Sequence, residues 1–322
     1  MQPRRWVATA VLLSAVAGCT GSGTSSPTPP DAAVSAGVDG IDFGDCGDLI
    51  DLASVQMPAD RAEHLSFACG TLDVPLDHDS STGERLGIAV VRIQDDRQTD
   101  RIGSLVMNPG GPGQQGLQYA PYWASSLPDE ILRRFDVVTF DPRGAGASAG
   151  FNCPDIPEDS KPEVYPDVVS PDGYALAARI SQARMQSCLD ELGADRAPHF
   201  NTVATARDVD LLRDALGDET LTYLGFSYGA RLGAEYARQF PDRVRALVLD
   251  APTDPAVSPV RITRRQVAGF EHSFESWADG CDDRPTCARR VSSLNRPSRG
   301  PARILGITTP LPWPLQTERW VE

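Results

Sequence analysis

The sequence predicts an α/β fold: a mostly parallel central sheet with helices on both faces. Three observations carry that prediction. Short apolar, β-branched runs alternate with longer stretches of helical period, the pattern of strands joined by crossover helices. Strand-like runs end in glycine-rich punctuation at Asn108-Pro109-Gly110-Gly111-Pro112-Gly113 and at Asp141-Pro142-Arg143-Gly144, where proline and glycine stop a strand. Finally, Gly225-Phe226-Ser227-Tyr228-Gly229 sits where an apolar strand turns sharply into a helix, a place suited to an exposed nucleophilic serine.

The chain opens on a targeting segment, residues 1–18. Arg4 and Arg5 form a basic start, and Trp6 to Ala17 is an apolar run too short to span a bilayer as a mature helix. Val16-Ala17-Gly18-Cys19 resembles a bacterial lipobox, with cleavage before Cys19 and lipid on its sulfur. The alternative is an ordinary signal peptide holding an incidental cysteine. Residues 19–40, rich in Gly, Ser, Thr and Pro, bury too little apolar surface to offset their ordering entropy and read as a flexible tether. The expected location is the cell envelope, at the outer face of the plasma membrane, with the lipid as the only membrane contact. The Arg4-Arg5 pair leaves the export route open.

About 280 residues remain, enough for one large domain with a substantial core. A formal net charge of −14 argues against nucleic acid as a partner, since phosphate binding needs a basic face. With Cys19 lipidated, six cysteines are left: Cys46, Cys69, Cys153, Cys188, Cys281 and Cys287. An even set in an exported chain suggests disulfides, and neighbour pairing (46–69, 153–188, 281–287) is the simplest arrangement. No CxxC pair or histidine spacing supports zinc, and no organic cofactor is implied.

Within the core, residues 41–287, Leu72 to Leu76 and Leu86 to Ile93 read as opening strands around the turn-rich Asp77 to Glu84. Ser104 to Met107 is a short buried strand, Ile131 to Arg134 closes a helix, and Asp136 to Phe140 is the next strand. Residues 151–200 form an excursion whose Gly173 to Leu192 has helical composition. Asn201 or Thr202 then caps a helix with Val203, Ala206, Val209, Leu212 and Leu216 on one face, ended by Gly217. Leu221 to Leu224 is the strand beneath Ser227, Tyr228 to Phe240 the helix above it, and Val244 to Leu249 a further strand ending in Asp250. Residues 255–287 read as the start of a cap.

Acyl transfer needs a nucleophile and donors for a tetrahedral oxyanion. Ser227 is the candidate nucleophile, and Gly225 and Gly229 provide room for the bend that presents it. The backbone N–H of Tyr228, at the helix start, is one candidate oxyanion donor. The second comes from the Asn108–Gly113 loop, with Gly111 the first choice and Gly110 the second. The bland readings are a glycine-flanked loop serine and a plain Pro/Gly turn, and the strand and helix around each motif argue against both.

At Asn108–Gly113, Asp141-Pro142-Arg143-Gly144-Ala145-Gly146, Gly225–Gly229 and Val248-Leu249-Asp250, the chain resembles the actinobacterial tripeptidyl-aminopeptidase family. That family is an exported α/β-hydrolase branch related to proline iminopeptidases, with carboxylesterase-type activity also ascribed to members. The resemblance spans roughly residues 45 to 287. It implies an α/β-hydrolase fold and release of short peptides from substrate N-termini, through a Ser-Asp-His triad and an acyl-enzyme. Peptides or small esters are the implied substrates.

The resemblance stops near Cys287. Family members run well past residue 322, with a C-terminal segment supplying the acid and the histidine, and residues 288–322 do not match it. Those residues hold six arginines against two acids and many prolines. They read as the product of a reading-frame change near Ala288 or as a disordered basic tail. The expected fold therefore lacks the C-terminal strands and most of the cap, leaving an apolar edge after Val244 to Leu249 and low stability. His272, the only histidine after Ser227, reads as a solvated or packed cap residue. Asp250 matches a family aspartate without the acid role, so the triad acid and base stay unassigned. The competing reading is a non-catalytic envelope lipoprotein or a pseudogene product.

Overall fold

A computed structural model of the chain describes residues 40–80, 82–148, 170–254 and 257–282. The signal peptide, Cys19, the tether up to residue 39 and residues 288–322 lie outside the described residues. All the described residues fall in one compact unit, Val38–Glu322.

Two long strands, β1 (Leu65–Pro75) and β2 (Arg85–Asp95), form an antiparallel hairpin paired over its whole length. The alternation of β2 splits its side chains cleanly between two cores. Leu86, Ile88 and Val90 face one, and Ala89, Val91 and Ile93 the other. The first strand begins at Leu65, earlier than the Leu72 read from the sequence. Ser66, Gly70 and Thr71 blur its pattern, and what holds this stretch is non-local. The Cys46–Cys69 disulfide and the Gly44–Cys69 bridge dock the preceding segment onto β1. Gly70 admits that segment, because a Cβ there would stand 2.4 Å from Ile41 Cγ2 and 2.8 Å from Asp42 O. Short helix α1 (Ala59–His64) leads into the strand.

Strand β3 (Gly103–Asn108) is buried at every position and runs into the Asn108–Gly113 loop. Helix α2 (Gly116–Ser126) follows, burying Leu117, Ala120, Trp123 and Ala124 on the face that carries Val91, Met107 and Val137. The helix expected to close at Ile131–Arg134 is a separate single turn, α3 (Asp129–Leu132), begun by Pro128. Strand β4 (Phe135–Phe140) is again wholly buried.

The excursion contributes α4 (Pro171–Leu192), capped by the Ser170 hydroxyl and exposed over most of its length. Helix α5 (Thr202–Ala215) takes its cap from Asn201, whose Oδ1 accepts the Ala204 N–H at 2.9 Å. Ala206, Val209 and Leu212 are buried as expected, but Val203 is 42 % exposed. Its first turn overhangs a surface cleft lined also by Leu76, His78 and Arg207, so Val203 never reaches the sheet.

Strand β5 (Leu221–Phe226), helix α6 (Tyr228–Gln239), strand β6 (Val244–Asp250) and helix α7 (Pro259–Asp282) complete the described elements. The six-stranded sheet has the order β1-β2-β4-β3-β5-β6. β3, β4, β5 and β6 pair parallel, while β2 is antiparallel to both neighbours. Helices α5 and α6 pack on one face and α2 on the other, the layered plan of an α/β domain. Among the described residues β6 lies at one end of the sheet, and its Val248 is 58 % exposed; the expected lack of further C-terminal strands concerns residues outside those described. Cys188 and Cys281 are also disulfide-bonded; their expected partners, Cys153 and Cys287, lie outside the described residues. Among the described residues no helix is long and apolar enough to cross a membrane.

Candidate active site

The turn from β5 to α6 holds Ser227 at φ 53°, ψ −115°, a region that costs any residue with a Cβ. Two hydrogen bonds enforce it. The Ser227 N–H donates to Asp250 O on β6 at 2.9 Å. The hydroxyl of Tyr223 donates to Gly229 O at 2.8 Å. Tyr223 is fully buried, and burial pushes its pKa well up, so the phenol remains a donor. Two glycines permit the crossing. A Cβ on Gly225 would lie 2.3 Å from Gly229 O, and one on Gly229 would lie 2.5 Å from Asn108 O.

The result is a serine on the surface whose hydroxyl makes no hydrogen bond among the described residues. Beside it, the Tyr228 N–H opens α6, where no preceding turn supplies an acceptor. The Tyr228 ring is held by its hydroxyl, 2.7 Å from Thr202 Oγ1.

The loop after β3 comes directly against this turn. Asn108 stands opposite Gly225 in the β3–β5 register. A Cβ on Gly110 would lie 2.4 Å from Phe226 O, 3.1 Å from Tyr228 N and 3.2 Å from Ser227 Cβ. Gly110 is therefore the residue that touches the nucleophile turn, but its N–H is taken by Asn108 Oδ1 at 3.0 Å. Among the described residues the Gly111 N–H has no acceptor. Both glycines have positive φ, 103° and 106°.

Behind the loop, Asp141 braces the start of α2. Its carboxylate accepts from Leu117 N at 3.0 Å and from Ala147 N at 2.8 Å. Burial raises its pKa against the opposing pull of those N–H donors. Deeper still, Arg143 donates to Asp208 at 2.7 and 2.6 Å and to the carbonyls of Pro75, Leu76 and His199. That one guanidinium ties β1 and the lead-in to α5 to the loop after β4.

All four histidines of the chain fall among the described residues, and among those residues none hydrogen-bonds Ser227. His64 pairs with Asp96 at 2.9 Å, His78 with Asp208 at 2.8 Å, and His199 lies 3.9 Å from Asp77. His272 is exposed on α7, and its ring makes no hydrogen bond. Asp250 contributes its carbonyl rather than its exposed carboxylate. Among the described residues no group of His, Cys, Asp and Glu could hold a metal ion.

The structure thus brings Gly110 against Ser227 and Tyr228, with Gly111 next to it in the same loop. Sequence reasoning gave Asn108, Tyr223 and Thr202 no individual part in the site. An asparagine two residues before a glycine, just after a strand, is an Asx-turn signal that could have flagged the first. Tyr223 and Thr202 meet the turn only through tertiary packing and leave no local trace.

A family model described as the alpha/beta hydrolase fold matches residues 103–321, more than half of the chain. Among curated proteins, the chain is similar to serine protease Hip1 of Mycobacterium tuberculosis, with 39 % identity over 221 residues, 68 % of this chain and 42 % of that protein. It is similar to tripeptidyl aminopeptidase of Streptomyces lividans, with 35 % identity over 222 residues, covering 66 % and 40 %. To carboxylesterase B of Mycobacterium tuberculosis the identity is 38 % over 232 residues, covering 71 % and 44 %. The chain therefore spans less than half the length of these curated relatives.

Proposed function

The chain belongs to the alpha/beta hydrolase family, and we propose that it carries the nucleophile half of a serine hydrolase that cleaves peptides or small esters through an acyl-enzyme on Ser227. The observation that carries this reading is the backbone of Ser227 at φ 53°, ψ −115°, clamped by β6 and two glycines with its hydroxyl free to the surface. Strain of this kind persists only where the surroundings over-determine it. In this reading the N–H groups of Tyr228, at the start of the following helix, and of Gly111, in the loop against the turn, receive the oxyanion.

In the mechanism, Ser227 Oγ attacks the substrate carbonyl while the two N–H groups take the developing negative charge. Collapse expels the amine or alcohol, and water then releases the acid. Both half-reactions need a proton acceptor, and among the described residues no histidine hydrogen-bonds Ser227. These residues alone should therefore show only the slow turnover left to an oxyanion hole without its base, about 10³–10⁴-fold over water. Release of short peptides from substrate N-termini is the first activity to test, with carboxylester hydrolysis second. The relatives' names, a tripeptidyl aminopeptidase, a serine protease and a carboxylesterase, support peptides or esters as the substrate class.

The lipobox-like Val16–Cys19 places the enzyme, in this proposal, at the outer face of the plasma membrane. Cys19→Ser should release it from the membrane fraction. The deciding experiment compares hydrolysis of aminoacyl and p-nitrophenyl esters by the full chain with that by Ser227→Ala. Slow hydrolysis lost in the variant is expected. Equal rates would leave the non-catalytic lipoprotein as the better reading, and efficient turnover abolished by His272→Ala would make that histidine the base after all.

A further inference from the structure

We infer that Asn108 is a positioning residue that reserves the Gly111 N–H for the oxyanion by consuming the N–H of its neighbour. The inference rests on the acyl-transfer reading above. Asn108 ends β3, is wholly buried (0 % exposed), and lies under both halves of the site. A Cβ on Gly229 would strike its carbonyl and its Oδ1, and Gly110 donates to that same Oδ1 at 3.0 Å.

The other end of the side chain carries the argument. Asn108 Nδ2 is buried with no hydrogen-bond partner. An unpaired buried donor is a net loss of stability, and an aliphatic side chain of similar size would avoid it. A buried amide at this point is accounted for only if its acceptor does something hydrocarbon cannot. What Oδ1 does is turn the Gly110 peptide. Two successive glycines at φ 103° and 106° have wide conformational freedom. The loop's other main-chain bond, Gln114 N–H to Gly110 O, is long at 3.4 Å. Asn108 Oδ1 is thus the short tether that keeps the Gly110 N–H out of the site and leaves the adjacent Gly111 N–H unpaired.

The test uses phenylboronic acid, which reads the oxyanion site without turnover. Boron accepts a lone pair of Ser227 Oγ, the serine proton passes to water, and the tetrahedral boronate sets one oxygen at the oxyanion position. Boron NMR titration of the full chain should show a saturable tetrahedral signal that Ser227→Ala abolishes. Asn108→Leu, which keeps bulk but removes the acceptor, should weaken binding about tenfold or more, a part of the 10²–10³-fold carried by one oxyanion donor. Asn108→Ser retains an oxygen able to accept the i+2 N–H and should recover to within about threefold of wild type. Hydrogen exchange should show Gly110 protected in wild type and Asn108→Ser and unprotected in Asn108→Leu.

Wild-type affinity in Asn108→Leu would overturn the inference while leaving the serine reading intact. So would a serine variant with native thermal stability that binds as weakly as the leucine variant. Should the leucine variant not fold, loss of boronate affinity or of Gly110 protection in the serine variant decides against the inference by itself. A tetrahedral signal that persists in Ser227→Ala would overturn the acyl-transfer reading and this inference with it.

Discussion

Ser227→Gly should stabilise the protein while removing its nucleophile. The serine sits at φ 53°, ψ −115°, and backbone in such sparsely populated regions costs about 1–3 kcal/mol. Glycine relieves that cost but enlarges the entropy of the unfolded chain, a loss of about 0.5–1 kcal/mol. Little else changes, because the serine side chain is exposed and makes no hydrogen bond. The net gain should be about 0.5–2 kcal/mol. For a domain of this size that raises the thermal midpoint by about 2–4 °C per kcal/mol. Ser227→Ala is the control, since alanine keeps the Cβ and the strain and should lie within about 0.5 kcal/mol of wild type. Urea unfolding of the three proteins at constant m-value gives the comparison. Were the glycine variant no more stable than the alanine variant, the backbone at Ser227 would not be strained, and the reasoning that makes this turn a nucleophile site would lose its physical basis.

Gly229→Ala should cost about 1–3 kcal/mol by overpacking, because the new Cβ would lie 2.5 Å from Asn108 O. It should also lower serine-dependent ester hydrolysis at least tenfold by shifting the Tyr228 N–H; unchanged rates would count against that donor. Arg143→Met leaves the Asp208 carboxylate, 2 % exposed, with only His78, and should cost about 3–5 kcal/mol in urea unfolding. The double variant with Asp208→Leu should cost less than the sum of the singles by about 1–3 kcal/mol, whereas simple additivity would show the pair is not coupled. Burial raises the Asp141 pKa above its ordinary 3.8, so its contribution is full below that value and declines as pH rises through the folded pKa. The destabilisation caused by Asp141→Asn should therefore shrink as pH rises from acid toward neutral; a thermal midpoint difference that grows with pH would contradict the burial argument.

Legibility in the sequence followed the range of the interactions. The Gly225–Gly229 turn was visible because a strand period, a glycine-flanked serine and a helix period lie within one short segment. The cap at Asn201 was legible for the same reason. The Cys46–Cys69 pairing followed the neighbour arrangement expected of an even set. The start of β1 was not legible, because its pairing with β2 and its docked disulfide lie far from it in sequence. Val203 follows the helical period perfectly and is still exposed, since periodicity says which face a residue shares and not whether that turn reaches the sheet.

The sequence by itself determined the layered α/β plan, the strand–turn–helix that presents the candidate nucleophile Ser227, and the glycine loop that accompanies it. Each is written in local φ/ψ demands and in the spacing of apolar residues. Only the tertiary structure decided which N–H groups are left for an oxyanion, because that depends on Asn108 meeting Gly110 and on Asp250 holding Ser227 from another strand. It also decided that three of the four histidines pair with aspartates, His64 with Asp96, His78 with Asp208 and His199 with Asp77. Which side chains meet is set by how helices and strands pack, and a count of histidines along the chain does not carry that information.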